Sequence, residues 1–329
     1  MFSLIKNLFR KLPKWLCKLL CVLFLVLLIV FSAILISQMV RTVKQIGETE
    51  SRIEEARANN TLLETIPSCE EDEFIIQFID VGQADCTFIS NGSSSMLIDA
   101  GNNEDGELIV KHLKRMGVTK IDYLIGTHPH EDHIGGLDDI IKNFTIGCLV
   151  MPNVSANTQT FEDVLTAASK KGVSIHTPKA GETWKIGEAI CTVVSCEPVK
   201  DISDLNEWSI VLHLDTKFKD FLFMSDSSHN NENAILDSGL NIKADFLRCA
   251  HHGSEDSNSK EFVRAVDPTY VIVSVGEDNE YGHPHAAAMK TFQGIADYTM
   301  TTKDFGTIEV VLAVGKPLIN LVATNCDGQ

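Results

Sequence analysis

Residues Thr127-His128-Pro129-His130-Glu131-Asp132-His133-Ile134-Gly135-Gly136 bring three imidazoles and the carboxylate of Asp132 together within six positions, directly after the apolar run 121–126. That run predicts a buried strand, and alternate residues of the extended segment leaving it point the same way, so His128 and His130 are expected to bind one ion. Asp132 and His133 then face a second ion, where a helix over residues 134–143 is expected to begin. The glycine pair allows close backbone approach behind these side chains. Imidazole and carboxylate donors suit zinc, with manganese and iron also compatible.

The pattern His-x-His-x-Asp-His resembles that of the metallo-β-lactamase superfamily, whose hydrolases hold two metal ions at the mouth of a four-layer αββα sandwich. The resemblance implies the same α/β fold here, with two divalent ions, zinc or manganese, over residues 74 to 321. Further blocks look like the ComEC-type branch, named for the hydrolase domain of DNA-uptake competence proteins. These blocks are Phe78-Ile79-Asp80-Val81-Gly82-Gln83-Ala84-Asp85, Leu97-Ile98-Asp99-Ala100-Gly101, Leu247-Arg248-Cys249-Ala250-His251-His252-Gly253-Ser254 and Ser274-Val275-Gly276-Glu277-Asp278-Asn279-Glu280-Tyr281-Gly282-His283-Pro284-His285.

Carried over residue by residue, the resemblance assigns the metal ligands. It places His128 and His130 on the first metal. Asp226, after the apolar run 221–224, matches the carboxylate that bridges both ions, and burial there is costly unless a cation is near. A helix N-cap is the alternative role for Asp226. The ligands implied for the second metal are Asp132, His133 and His252.

Two departures from the superfamily pattern concern the first metal and the bridge. Asn206-Glu207-Trp208-Ser209 stands where many members place a third histidine, so weaker binding of the first metal is expected and Asn206 is assigned a supporting role. Met224-Ser225 replaces the usual Thr-Gly before Asp226. His213 is predicted to be an ordinary strand residue.

Adjacent residues at a strand end point in opposite directions, so His251 and His252 bind one ion only if the chain bends. We assign His252 to the metal, and His251 with His283 to the substrate, where each binds a phosphate oxygen or protonates the leaving group. A supporting or loop role is the alternative for both. With Asp132, these two histidines are the candidate catalytic residues. The carboxylates predicted to orient ligand histidines through their second ring nitrogen are Asp80 and Asp99.

The expected chemistry is hydrolysis by a metal-bridged hydroxide. Metal binding lowers the pKa of water from above 15 to roughly 7, which allows attack on phosphorus or an acyl carbon. The sequence contains no nucleophile elbow, phosphate-binding glycine loop or Cys-x-x-Cys pair. We expect a phosphodiesterase acting on a cell-envelope, headgroup or nucleic-acid phosphodiester. The alternatives are a lactamase or lactonase, a competence-related nuclease working with a separate channel, and a non-catalytic binding protein.

The N-terminal segment predicts where the reaction takes place. Residues 1–18 are basic, and residues 19–40 carry no charge, which is long enough for a transmembrane helix. The basic residues put the N-terminus in the cytoplasm and residues 73–329, the hydrolase domain, outside a bacterial cell membrane. A cleaved signal peptide is the alternative. Residues 41–72 are predicted to form a helical stalk and a linker. A homodimer that forms through this stalk is a further alternative.

Residue patterns within the hydrolase domain predict alternating elements. Strands are expected over residues 74–80, 87–90, 95–99 and 121–127. Helices are expected over residues 107–116, 161–171, 232–238 and 260–265.

Charge and cysteine content restrict the partners. Beyond residue 44 the chain has 21 Lys and Arg against 45 Asp and Glu, which disfavours extended nucleic-acid binding. A positively charged or zwitterionic substrate fits this surface better, and the expected partner is a small or polymeric phosphoester. The nine cysteines lack the paired spacing of a disulfide framework.

Overall fold

The computed structural model describes residues 73–313 and 317–322. The predicted membrane anchor over residues 19–40 and the stalk over residues 41–72 lie outside this range. Within the described range, no helix combines the length and apolar character needed to cross a membrane.

The first sheet contains the strands on which the His-rich loop is built. Its strands are β1 (Phe74–Phe78), β2 (Thr87–Ser90), β3 (Ser95–Ile98), β4 (Lys120–Ile125), β5 (Thr145–Val150), β6 (Ile175–His176), β14 (Thr307–Leu312) and β15 (Pro317–Val322). In the described part of the chain their order is β15-β14-β1-β2-β3-β4-β5-β6, and β3 to β6 run parallel. The carboxyl ends of β3, β4 and β5 therefore lie at one edge.

The second sheet carries the remaining ligand candidates. Its strands are β7 (Thr183–Ile186), β8 (Ala189–Ser195), β9 (Val211–Asp215), β10 (Asp220–Phe223), β11 (Phe246–Arg248), β12 (Tyr270–Val273) and β13 (Tyr298–Thr301). They follow the order β13-β12-β11-β10-β9-β8-β7, with β10 to β13 parallel. Alternation is visible in β10, where Phe221 and Phe223 face the other sheet and Leu222 faces helices.

Helices cover the outer face of each sheet and complete four layers. Against the first sheet lie α1 (Gly106–Arg115), α2 (Glu131–Ile134), α3 (Leu137–Asn143) and α4 (Gln159–Lys171). Against the second lie α5 (His229–Ser238), α6 (Lys260–Val266) and α7 (Ala286–Gln293), and α8 (Thr302–Phe305) precedes β14. Three apolar layers separate them, represented by Phe78 between the sheets, Ile109 under α1 and Phe262 under α6. Full burial of each such side chain contributes about 1.5–3 kcal/mol. The expected αββα sandwich is observed.

The predicted strands and helices are present with ends shifted by a few residues, but the helix expected over residues 134–143 is wrong in one respect. It is two helices, α2 and α3, because the backbone at Gly135 and Gly136 packs against the turn after β3. Their amide groups donate to the carbonyls of Gly101 and Ala100, at 2.9 and 3.1 Å. A Cβ atom on Gly135 would overlap the backbone of Asn102. The close approach expected of the glycine pair is therefore confirmed.

Candidate metal centre

A cleft of about 300 Å³ opens beside the ends of parallel strands from both sheets. Its lining includes His130 after β4, Asp226 after β10, His252 after β11 and His283 after β12. Loops at the carboxyl ends of parallel strands are where α/β proteins usually place their sites. The topology therefore gathers side chains that are far apart in the sequence.

A chain of hydrogen bonds orients His128. Ser225 Oγ donates to Thr127 Oγ1 and Thr127 Oγ1 donates to Asp99 Oδ2, both at 2.7 Å, so both hydroxyl hydrogens are used. His128 Nδ1 lies 3.3 Å from each hydroxyl oxygen and must therefore be the donor. Its Nε2 keeps the lone pair and lies 3.0 Å from Nδ1 of His130. Burial holds the pKa of His128 well below its usual value, so the ring is neutral and fit to bind a cation.

His128 and His130 form a first group of donors. Asp132, His133 and His252 form a second group beside it. His133 Nδ1 donates to Asp99 Oδ2 at 2.8 Å, and His252 Nδ1 donates to the Ser274 carbonyl at 2.9 Å. Each bond leaves Nε2 of the ring for another partner. These two Nε2 atoms lie 3.8 and 3.3 Å from Oδ2 of Asp132. Burial would raise the pKa of Asp132, but His133 and His252 outweigh it and keep the carboxyl ionised.

Asp226 lies between the two groups. Its Oδ1 is 3.3 Å from Nε2 of His133, and its Oδ2 is 3.9 and 4.0 Å from Nε2 of His252 and His128. Burial opposes ionisation, yet His133 and His252 hold the pKa of Asp226 well below its usual value. The alternative role as helix N-cap is excluded, because Ser228 caps α5. This is the position that a bridging carboxylate would occupy.

The polar atoms of this cluster fit a divalent cation. His133 Nε2 and Asp226 Oδ1 are buried 3.3 Å apart, and neither atom makes a hydrogen bond to any other described residue. Ligand atoms of Asp85, His133, Asp226 and His252 all lie within 4.8 Å of one another. A buried polar atom left without a hydrogen bond costs about 1–3 kcal/mol, and a bound cation would give both atoms a stronger partner than their single 3.3 Å contact. Imidazole and carboxylate donors in this arrangement suit zinc or another first-row divalent ion.

The backbone bends at the two adjacent histidines, and their side chains differ in burial. His251 and His252 lie in one 3-10 turn (His251–Gly253), and both have a φ of +50°. The side chain of His252 is 2% exposed and that of His251 is 29% exposed, with His251 Nε2 3.6 Å from Asp226 Oδ2. Burial lowers the pKa of His251, so it is neutral near pH 7. His252 thus faces the buried donors and His251 faces the cleft.

His283 reaches the cleft from the loop after β12. Its ring centroid lies 5.5 Å from that of His251, with the planes nearly perpendicular. Burial, together with neighbouring His252 and His251, lowers the pKa of His283 to about 4. A neutral imidazole near pH 7 favours hydrogen bonding to a substrate oxygen over release of a proton.

Comparison with known proteins identifies the family to which the chain belongs. The profile of the metallo-beta-lactamase superfamily matches residues 79–277. The chain belongs to the metallo-beta-lactamase superfamily. Membership makes it a hydrolase-type fold with a candidate site for divalent metal.

Similarity to individual members of the superfamily refines the branch. The chain is 30% identical over 259 residues to ComE operon protein 3 of Bacillus subtilis. This match covers 73% of the chain and 33% of that protein. The chain is 24% identical over 250 residues to Competence protein ComA of Neisseria gonorrhoeae, covering 74% and 33%. The chain thus spans about a third of the length of these relatives and falls in the ComEC-type competence branch. The metallo-beta-lactamase fold protein YhfI of Bacillus subtilis superposes with a TM-score of 0.48 at 11% identity, covering 72% of the chain and 99% of YhfI.

Asn206, which the resemblance places where many members of the superfamily have a third histidine, lies in the 3-10 turn Leu205–Trp208. Its side chain lines the cleft, and its buried Oδ1 has no partner among the described residues. His213 lies in β9 and its Nε2 donates to the Lys243 carbonyl at 2.8 Å, so it belongs to the strand as predicted. Asn206 therefore lines the same cleft as His130 and Asp226.

The two carboxylates expected to orient histidines behave differently. Asp99 accepts from His133 Nδ1, as described above. Asp80 does not contact a histidine in the described range, and its carboxylate accepts from the Gly82 amide at 3.2 Å. The chain turns at Gly82 after β1, and the carboxylate that reaches His133 is Asp85, with Oδ2 3.7 Å from Nδ1. Asp85 therefore takes the place expected for Asp80.

A buried ion pair that lies next to the metal centre was not predicted from the sequence. Asp85 pairs with Arg248, and both side chains are almost fully buried. Arg248 Nη1 also donates to the carbonyls of Ser225 and Cys249, both at 2.9 Å. The signal was available, because charged residues in otherwise apolar motif blocks are costly to bury unless they are paired. The pair joins the turn after β1 to the strand that carries the His-His-Gly turn.

Proposed function

We propose that the protein is a membrane-anchored, metal-dependent phosphodiesterase acting on a cell-envelope, lipid-headgroup or nucleic-acid phosphodiester. The observation that carries the proposal is the position of Asp226 between two groups of metal donors, beside a cleft that also exposes His251 and His283. Superfamily membership supports the hydrolase class.

The donor geometry supports two cation positions that share one carboxylate. His128 and His130 would hold one ion, and Asp226 would contact both. When bound, divalent cations activate water for attack near neutral pH and stabilise negative charge on the attacked group. The residues that would hold the second ion are Asp132, His133 and His252.

The protein's own groups supply orientation and hydrogen bonds to the substrate. His251 and His283 lie on the cleft side of the donors with neutral rings, so each can donate one N–H to a phosphate oxygen. A phosphodiester has two non-bridging oxygens for two such donors. Donors placed where charge develops lower the barrier more than they strengthen ground-state binding.

The charge of the protein and its similarity to competence proteins restrict the class of substrate that we propose. Excess acid beyond residue 44 argues against a long polyanion footprint, so contact with a few bonds of a substrate is favoured. The name Competence protein ComA supports the competence-related alternative, in which the substrate would be a nucleic-acid phosphodiester and the channel a separate protein. An anchor over residues 19–40 would hold the domain at the outer face of the membrane.

The test is hydrolysis of bis(p-nitrophenyl) phosphate by the full-length protein with added zinc or manganese, together with measured metal content. Asp132→Asn and His252→Gln are expected to lose metal and at least about 100-fold in activity, since each removes a ligand. Asp138→Asn and His176→Gln change partly exposed residues outside the cleft and are expected to retain both properties.

Each outcome has a defined meaning. Activity lost only in the cleft variants supports the phosphodiesterase. Hydrolysis of a lactone without hydrolysis of the diester would instead support the lactonase alternative. Metal binding without turnover of either compound would refute the enzyme and leave a metal-binding protein.

A further inference from the structure

We propose that Gln83 is a positioning residue that fixes the tautomer of His283, so that this histidine offers a neutral Nε2–H donor to an anionic oxygen in the cleft. The identity of that oxygen as a phosphate oxygen rests on the proposed function. The tautomer itself rests only on hydrogen bonds within the protein.

The orientation of the Gln83 amide follows from its partners. The Gly276 N–H donates to Gln83 Oε1 at 3.2 Å, and a backbone N–H can only donate, so the amide nitrogen faces away from Gly276. That nitrogen lies 3.4 Å from Nδ1 of His283. Because an amide N–H₂ has no acceptor capacity, Nδ1 must accept. In the neutral ring the single hydrogen is then on Nε2.

The loop that carries His283 is tied to Gln83 through its backbone. A Cβ atom on Gly276 would lie 2.7 Å from the backbone nitrogen of Gln83, so this close approach requires glycine. Asn279 Oδ1 accepts from the His283 amide at 2.8 Å. Its Nδ2 donates to the carbonyls of Gly276 and His283, at 2.9 and 2.8 Å. Gln83 and His283 are therefore held in register by a connected set of bonds.

The same loop is anchored to the His-His-Gly turn on its other side. The His285 amide donates to the Gly253 carbonyl at 2.9 Å, and a Cβ atom on Gly253 would lie 2.7 Å from Cβ of Pro284. His283 is thus located relative to the metal donors. Its Nε2 makes no hydrogen bond to any of the residues described, and the ring lines the cleft, so Nε2 is left for a bound group.

The tautomer decides what His283 can do. An Nε2–H donor stabilises an oxygen on which negative charge increases, whereas the opposite tautomer would present a lone pair to that oxygen. Of the two roles for His283, oxygen binding and leaving-group protonation, the hydrogen bond from Gln83 favours the first. Removing one such transition-state donor can cost about 100-fold in kcat.

The tautomer can be read directly by nitrogen NMR of the zinc-loaded, full-length protein, because protonated and unprotonated ring nitrogens resonate far apart. Signals of His283 are assigned by their loss in His283→Gln. At about pH 8, above the usual histidine pKa, we expect the hydrogen on Nε2 in the wild type. Gln83→Glu, whose carboxylate accepts from Nδ1–H, is expected to move the hydrogen to Nδ1. Gln83→Met, which removes the donor without adding charge, is expected to give a mixture.

Kinetics on bis(p-nitrophenyl) phosphate provide the second readout. We expect Gln83→Glu to lower kcat at least about 10-fold with little change in KM or zinc content, and to have no further effect in His283→Gln. Gln293→Glu, which adds the same charge at an exposed position of α7, is expected to resemble the wild type.

Two NMR results would overturn the inference: a wild-type hydrogen on Nδ1, or the same tautomer in wild type and Gln83→Glu. Equal kcat in wild type and Gln83→Glu, despite a changed tautomer, would also refute it. If the wild type fails to hydrolyse the diester, the proposed function fails, and the NMR result still decides the tautomer.

Discussion

Arg248→Met is the perturbation whose cost follows most directly from the structure. The guanidinium is fully buried, and although burial lowers the pKa of Arg248 to about 10, it remains charged at neutral pH. Its removal leaves the Asp85 carboxylate buried without its cation and the Cys249 carbonyl without its donor. Breaking one side of a buried ion pair costs about 3–5 kcal/mol. In a domain of this size that loss lowers Tm by about 6–20 °C.

The assay is guanidinium unfolding of the full-length protein in EDTA, so that bound metal does not mask the loss. The double variant Asp85→Asn, Arg248→Met is expected to be about 2 kcal/mol more stable than Arg248→Met, because it buries no unpaired charge. The matched control is Lys243→Met, since Lys243 pairs with Asp267 at 3.2 Å on the surface. Its expected cost is below about 1 kcal/mol.

A cost for Arg248→Met no larger than that for Lys243→Met would refute this account. Strict additivity in the double variant would do so as well, because it would mean that the two charges do not stabilise each other in the folded protein.

Three further outcomes are expected. Asp99→Asn should weaken zinc binding about 10–100-fold in a competition titration, because it loosens the ring of His133, whereas Asp80→Asn, at a carboxylate without a histidine contact, should not; equal effects would contradict the assignment. Gly135→Ala should cost more than about 2 kcal/mol in chemical unfolding, because the added Cβ meets backbone atoms; a neutral result would contradict the packing. The pKa of His283 is lowered to about 4 in the folded protein, whereas its ordinary value is about 6.5. Between these two pH values the unfolded chain binds more protons than the folded one, so stability falls as the pH falls through this window. In EDTA, the difference in unfolding free energy between wild type and His283→Gln should decrease as the pH falls from about 6.5 to about 4. A difference that does not change with pH would count against the lowered pKa of His283.

Local spacing in the sequence predicts the parts of the site that depend on neighbouring residues. His128 and His130 are two apart on one extended segment, and their nitrogens do meet at 3.0 Å. The two-residue pattern requires only the geometry of an extended chain. Strand alternation does not describe His251 and His252, because both lie in a 3-10 turn with positive φ, and their different burial follows from that bend.

Contacts between distant segments follow from topology and could not be read from spacing. Gln83 and His283 are 200 residues apart and meet because β1 and β12 belong to different sheets whose ends face the same cleft. The error over Asp80 has the same origin. Both Asp80 and Asp85 follow β1, and only the turn at Gly82 determines which of them reaches His133. The helix break at residues 135–136 likewise depends on a partner segment about 30 residues earlier.

Metal removal tests the central feature of the structure, which is that its donors come from three segments in two sheets. Because His128, Asp226 and His252 converge only when both sheets are packed, an ion that they hold binds the folded chain and not the unfolded one. Zinc at about 1,000 times its dissociation constant should therefore raise unfolding free energy by about 4 kcal/mol, and EDTA should remove that gain. Asp226→Asn should abolish most of the difference between zinc and EDTA, since Asp226 lies between both groups. An unchanged difference in this variant would mean that the cation binds elsewhere.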